Sequence, residues 1–181
     1  MPALKTAVVV TWIVFWVYWL VSALGAKKGA RGGPWTSRPR ALSVLAVIVL
    51  FEASRGRGLA VDNAALEIVG TMIFAAGVAL AVLARIHLGR NWGMPMSQKA
   101  EPELITSGPY RFVRHPIYTG LLVALLGTAL VTSLAGLVIV AILGAYFWYA
   151  ATVEERNLIN TFPTTYPAYK ARTKKLIPFV L

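Results

Sequence analysis

The chain has no cysteine, two histidines and seven acidic residues in a length of 181. Without thiols, disulfides, zinc–thiolate centres and cysteine nucleophiles are excluded, and the redox compartment leaves no trace. Neither His87 nor His115 has a second nearby ligand, so the pair carries no metal signature. Charge is scarce as well. Asp, Glu, Lys and Arg make up 14% of the residues, against roughly a quarter in soluble domains. The remainder is dominated by apolar side chains, 57% of the sequence, with a mean hydropathy of +0.65. One small core cannot hide that much apolar surface, so lipid is the expected solvent for much of it. The length suits one compact bundle, with no room for a second folded domain of ordinary size.

Acid scarcity leaves a net charge of +11, which raises the question of nucleic acid. The basic residues lie in loops between apolar runs, as topology signals and contacts to anionic headgroups do. No soluble basic domain is available for a nucleic-acid partner.

Five apolar segments can be read against the roughly 20 residues that a spanning helix needs. They cover 7–24, 41–53, 66–86, and a stretch from Pro116 to about Val153 broken around Thr132, Ser133 and Gly136. The second is short and carries Glu52 near its end. The last stretch is far too long for one span, which predicts a tight helical hairpin. "SALGA", residues 22–26, resembles the end of a signal peptide. The basic residues Lys27 and Lys28 follow that apolar run, however, and only Lys5 precedes it, which favours a retained helix. Loop 25–40, stretch 85–115 and the tail after Val153 hold five Lys plus Arg each, 15 of the 18. With five spans all three fall on one side, so the positive-inside rule predicts an outside N-terminus and a cytoplasmic C-terminus. The expected fold is all-α and polytopic, with a C-terminal hairpin and a cytoplasmic tail. Residues 1–86 form its first three helices, and residues 87–181 form the region carrying the chemistry.

That chemistry is concentrated in "GPYRFVRHPIYTG", residues 108–120, and "EERNL", residues 154–158. Pro116 suits a first helical position, and the amides of residues 114–118 would point outward at the positive end of the helix dipole. Arg114 and His115 there make either an anion site or a simple headgroup anchor. The hairpin returns Glu154 and Glu155 to the same face, at a helix C-terminus where the dipole disfavours acids. They need cations, and Arg114 and His115 are within reach, as a structural salt bridge, a ligand site, or both. Only one acid of an adjacent pair should face inward, with Asn157 or Leu158 sharing its face.

The two stretches together resemble the RHPxYxG…EE signature of the isoprenylcysteine carboxyl methyltransferase family, whose general form phospholipid methyltransferases share. The likeness extends through "LGRNW", "ELITSGPY" and "FPTTYPAYKARTKKLIPF", and so covers the chain from Leu88 onward. It implies a five-helix membrane enzyme that uses S-adenosyl-L-methionine, bound between the hairpin and the preceding loop and capped by the tail. Carried across by position, the cofactor-binding set is Leu104, Gly108, Tyr110, Arg114, His115, Pro116, Tyr118, Gly120, Glu154, Glu155 and Asn157. Arg114, Glu154, Arg156 and Arg90 are the candidates nearest the reaction. Arg114 or His115 would suit the cofactor's carboxylate, either glutamate its ammonium or ribose, and Tyr118 or Tyr110 its adenine. Gly120 would admit the cofactor or a neighbouring backbone. The implied acceptor is a prenylated cysteine carboxylate, or another lipid-like molecule reached from the bilayer.

There are departures from the family pattern. Relatives often carry a basic residue in the turn before the glutamates, where this chain has Ala150, Ala151, Thr152 and Val153, leaving Arg85, Arg90 or Arg156 as substitutes. The common Phe-Gly-acid-acid-Tyr is Phe162, Pro163, Thr164, Thr165, Tyr166. Trp92 and His87 read as interfacial anchors, the aromatic run 146–149 as a belt or a lipid entrance, and Lys170, Arg172, Lys174 and Lys175 as contacts to anionic lipid. Two rivals remain. One is an NADPH-binding sterol reductase, whose C-terminal region is related. The other is a non-enzymatic transport or scaffold subunit, which should place polar residues at mid-membrane.

Overall fold

The computed structural model describes residues 1–24, 59–92 and 103–177. Among the described residues there are five α-helices: α1 (Pro2–Leu24), α2 (Ala64–Leu88), α3 (Pro116–Thr132), α4 (Gly136–Thr161) and α5 (Thr165–Arg172). Short 3₁₀ turns lie at Gly89–Asn91 and Gly108–Arg111. No strand forms among the described residues. The expected second segment, 41–53, lies outside them.

Helices α1, α2 and α4 are long and apolar enough to cross a membrane, and α3 is a shorter apolar helix of 17 residues. Their outer faces expose large apolar side chains, among them Leu20 at 69%, Met72 at 68% and Val138 at 61%. In water such surface would drive aggregation; facing acyl chains it costs nothing. The protein is an all-helical integral membrane protein.

Ion pairs and hydrogen bonds set the helix directions. At one end Lys5 donates to the Val61 carbonyl at 2.7 Å and pairs with the buried Glu67 at 3.4 Å, beside the start of α2. At the other end Arg85 donates to the Ser22 carbonyl at 2.6 Å. Helices α1 and α2 therefore run parallel, as the first and third segments should. Helix α3 returns antiparallel to α2 along a seam of small residues. A Cβ on Gly77 would stand 2.3 Å from the Ala124 nitrogen, and one on Gly127 2.3 Å from the Phe74 nitrogen. Backbone meets backbone there. Trp12 holds α1 against α3 by donating to the Thr128 hydroxyl at 3.0 Å.

The predicted hairpin forms. Ser133–Ala135 turns the chain between α3 and α4, and the turn docks on the residues before α2 through Leu134 N–H to Leu59 O at 3.0 Å. Sequence placed the last helix's end near Val153, but α4 runs two turns further, to Thr161. Acids that disfavour a helix C-terminus are tolerated here because they lie inside the helix, each with its own partners. The C-terminal ends of α1, α2 and α4 and the N-terminal end of α3 thus share one end of the bundle.

Candidate functional site

At that shared end the approach to α3 is a constrained turn. Gly108 adopts a φ of +57°, a left-handed conformation that favours glycine. A Cβ there would also meet the His87 ring at 2.2 Å. Tyr110 follows, buried, with its carbonyl accepting the Tyr169 hydroxyl at 2.6 Å. Pro116 occupies the first position of α3 and is fully buried.

Two of the amides that an anion site at this helix start would use are taken by the chain itself. The Arg114 N–H donates to the Lys174 carbonyl at 2.8 Å and the His115 N–H to the Lys175 carbonyl at 3.1 Å. A tail segment after α5 therefore lies along the entrance to α3 and takes up amides that sequence left pointing outward.

The side chains turn instead toward the glutamates. Arg114 Nε donates to Glu155 Oε1 at 2.7 Å, and its Nη1 is bound by the Lys170 and Thr173 carbonyls. Lys170 Nζ reaches the other Glu155 oxygen at 2.9 Å. His115 stands between the acids, with Nδ1 3.3 Å from Glu154 and Nε2 3.6 Å from Glu155. Tyr118 donates its hydroxyl to Glu154. Its ring stacks between the His115 imidazole at 5.5 Å and the Phe147 ring at 4.6 Å, nearly parallel to both. Both glutamates are therefore engaged, where sequence allowed one. Glu155 is buried and Glu154 is the more open, its side chain 23% exposed. Histidine reconciles the two, because its two nitrogens face different carboxylates.

Burial favours a neutral imidazole, but the two carboxylates overcome it and hold the His115 pKa above the ordinary histidine value. Burial raises the hydroxyl pKa of Tyr166, and pushes that of Tyr169 up to about 12. Both are neutral donors at physiological pH. The Tyr166 hydroxyl is buried without a hydrogen-bond partner, and His115 Nε2 has only the long 3.6 Å contact to Glu155, an arrangement that leaves polar capacity beside the acids for a ligand.

Other expected residues fall elsewhere. Of the two roles left open for Gly120, the structure shows packing on neighbouring backbone: a Cβ there would lie 2.6 Å from the Ala81 nitrogen of α2. Leu104 is half-buried ahead of the Gly108 turn, and Asn157 is half-buried one turn beyond the glutamates. Arg90 and Arg156 are exposed. Arg85 is buried, donates to Ser22 O and to Gly89 O at 2.7 Å, and lies over the Trp92 ring at 4.9 Å. That arginine ties α1 to α2. Trp92 also packs edge-on against Trp19 at 5.8 Å, an internal contact.

The resemblance implied a capping tail, but sequence reading did not single out the tail residues that meet the acids. Tyr166, Tyr169, Lys170 and Thr173 recur at spacings of three and four and share one face of α5 and its continuation, a helical pattern that basic charge obscured. Lys175 Nζ donates to Thr152 Oγ1 at 2.9 Å and lies over the Trp148 ring at 4.1 Å. It thereby brings a cation to the turn before the glutamates, which carries no basic residue of its own.

Comparison with known proteins identifies the family of the chain. The profile of the phospholipid methyltransferase family matches residues 66–165, more than half of the chain. Methanethiol S-methyltransferase 1 of Bradyrhizobium diazoefficiens is 38% identical over 78 residues, 43% of this chain and 27% of the relative. The protein-S-isoprenylcysteine O-methyltransferase of Schizosaccharomyces pombe is 28% identical over 108 residues, 58% of this chain and 46% of the relative. That of Rattus norvegicus is 30% identical over 119 residues, covering 64% and 42%. The chain thus spans less than half the length of these relatives. A solved structure of the eukaryotic intramembrane Ras methyltransferase, an isoprenylcysteine carboxyl methyltransferase, shares the fold with a TM-score of 0.60 at 22% identity, covering 81% of this chain and 54% of that one. The motif-based likeness to isoprenylcysteine methyltransferases is borne out, and the chain belongs to the phospholipid methyltransferase family.

Proposed function

We propose that the chain is an S-adenosyl-L-methionine-dependent methyltransferase of an amphiphilic acceptor, carrying out carboxyl O-methylation of an isoprenylcysteine-like substrate. One observation carries the reading: Arg114, His115 and Tyr118 meet Glu154 and Glu155 at one end of the bundle, under the tail, within the family-matched stretch. The residues fit the cofactor. Glu154, the more open acid, would take its ammonium, Lys170 its carboxylate, and the orphaned Tyr166 hydroxyl its remaining polar atoms. Arg114, with Nε and Nη1 committed to Glu155 and the tail, orders the site. What the cofactor supplies when bound is a methyl group on a sulfonium.

The state of the side chains favours a carboxylate acceptor over a thiol or an amine. Carboxylates are ionised near neutral pH, so no proton has to be moved. Two facing acids hold the His115 pKa above the ordinary histidine value despite its burial, and Glu155 is held by two cations and lies 3.6 Å from His115. Glu154 likewise has Tyr118 and His115 as partners, so the cluster offers no free base, which an amine or thiol would require. The protein's work is alignment of donor and acceptor and exclusion of water. The acceptor arrives from the bilayer, and the site end faces the cytoplasm, where most of the basic residues belong.

Calorimetry of the purified chain in detergent with S-adenosylhomocysteine, and separately with NADPH, tests the reading. Saturable binding of the first alone is expected. His115→Ala or Glu154→Gln should weaken it at least about tenfold, the value of one charge-assisted hydrogen bond, without loss of helicity. Binding of NADPH instead would favour a reductase, and binding of neither would sink the enzyme reading.

A further inference from the structure

The tail residues around Lys175 are fixed in place. Lys174 and Lys175 carbonyls accept the Arg114 and His115 amides, and the Leu176 carbonyl accepts the Thr119 hydroxyl at 2.7 Å. From this support the Lys175 side chain crosses to α4. Its ammonium meets two neutral groups there: Thr152 Oγ1 at 2.9 Å and the face of Trp148 at 4.1 Å. The Thr152 hydroxyl donates its own proton to the Trp148 carbonyl at 2.8 Å. Among the described residues no carboxylate pairs with Lys175, whereas Lys170 is paired with Glu155 at 2.9 Å. Burial lowers the Lys175 pKa and outweighs the opposing influence of the Glu155 charge, as expected of a partly desolvated cation with no carboxylate in direct contact. An ammonium has three donors, and one is used.

The position matters as much as the missing partner. Thr152 lies less than one helical turn before Glu154 and Glu155, about 3 to 5 Å along the axis. Beside it Trp148 and Tyr149 are 43% and 56% exposed on the outer face of α4. A fixed cation thus stands between the acid cluster and an apolar, lipid-facing aromatic surface. That is the layout an amphiphile with an anionic head would need.

We propose that Lys175 is a specificity residue that binds the carboxylate of the acceptor, while the acceptor's apolar chain lies along Trp148 and Tyr149. The inference deepens the methyltransferase reading and names the group its acceptor must present. Binding of S-farnesyl-N-acetylcysteine and of its methyl ester to the full chain in detergent micelles tests it without any methyl transfer. The wild type should bind the acid at least about tenfold more tightly than the ester, the worth of a modest charge contact. Lys175→Gln should abolish that preference and Lys175→Arg should keep most of it. Equal binding of acid and ester by the wild type, or a preference that survives Lys175→Gln, would overturn the proposal. Displacement of the acid by phosphatidylglycerol, with no displacement by uncharged lipid, would also overturn it by making the lysine a contact for lipid phosphate. Failure of S-adenosylhomocysteine to bind while the acid preference holds would remove the methyltransferase reading and leave this site standing.

Discussion

His115 is the residue on which the site turns, because it faces both glutamates. Its pKa is raised in the folded protein, so its stabilising contribution is complete below the ordinary histidine value of about 6.5 and lost as pH rises through the higher folded value. Thermal unfolding in detergent should therefore show a midpoint that falls with rising pH across that window, and His115→Gln should flatten this part of the curve. Parallel curves for the two proteins would show that His115 is not charged in the folded state. Among single residues, sequence reading was sound where chemistry is local. The Arg114–His115 and Glu154–Glu155 groups were legible because opposite charges at two ends of a hairpin have to meet. Gly120 was ambiguous, since a glycine next to a ligand and a glycine against a helix look the same until the partner's path is known.

Among the helices, the hairpin and the apolar segments that fall in the described residues could be read from hydropathy, whereas the α2–α3 seam could not. Its glycines are spread over Gly70, Gly77, Gly120 and Gly127 in two helices far apart in the chain, so no local pattern announces that they face one another. Close approach of this kind is a means of helix association in lipid, where no hydrophobic effect drives helices together. Gly77→Leu or Gly127→Leu would force side-chain atoms into a partner's backbone. A loss of about 3 kcal/mol or more is expected, as for severe overpacking, read as a lowered unfolding midpoint in detergent. By contrast Gly144→Leu, at a position whose nearest foreign atom is Leu122 Cδ2 at 3.9 Å, should cost far less. Equal losses at the two kinds of site would mean that the seam is not a tight one. The α5 tail was misjudged for a physical reason too: basic residues near a bilayer usually meet headgroups, and only the fold shows Lys170 paired inward.

For the molecule as a whole, helix directions gather the chemistry at one end and place Lys5 with Glu67 at the other. The basic residues Arg85, Arg114 and Lys170 lie at the first end, the distribution that cytoplasmic faces carry. A chain free of cysteine makes the assignment easy to test. Single replacements Arg156→Cys and Asp62→Cys, in cells or sealed vesicles of known orientation, should be labelled by an impermeant maleimide from the cytoplasmic and the opposite side respectively. The reverse pattern would invert the proposed topology. The tight seam between α2 and α3 also limits how a greasy molecule can get in. Where two backbones touch there are no side chains to swing aside, so that wall is in effect a weld, and the apolar tail of the proposed acceptor would enter along α4 instead, on the flank where Trp148 is exposed.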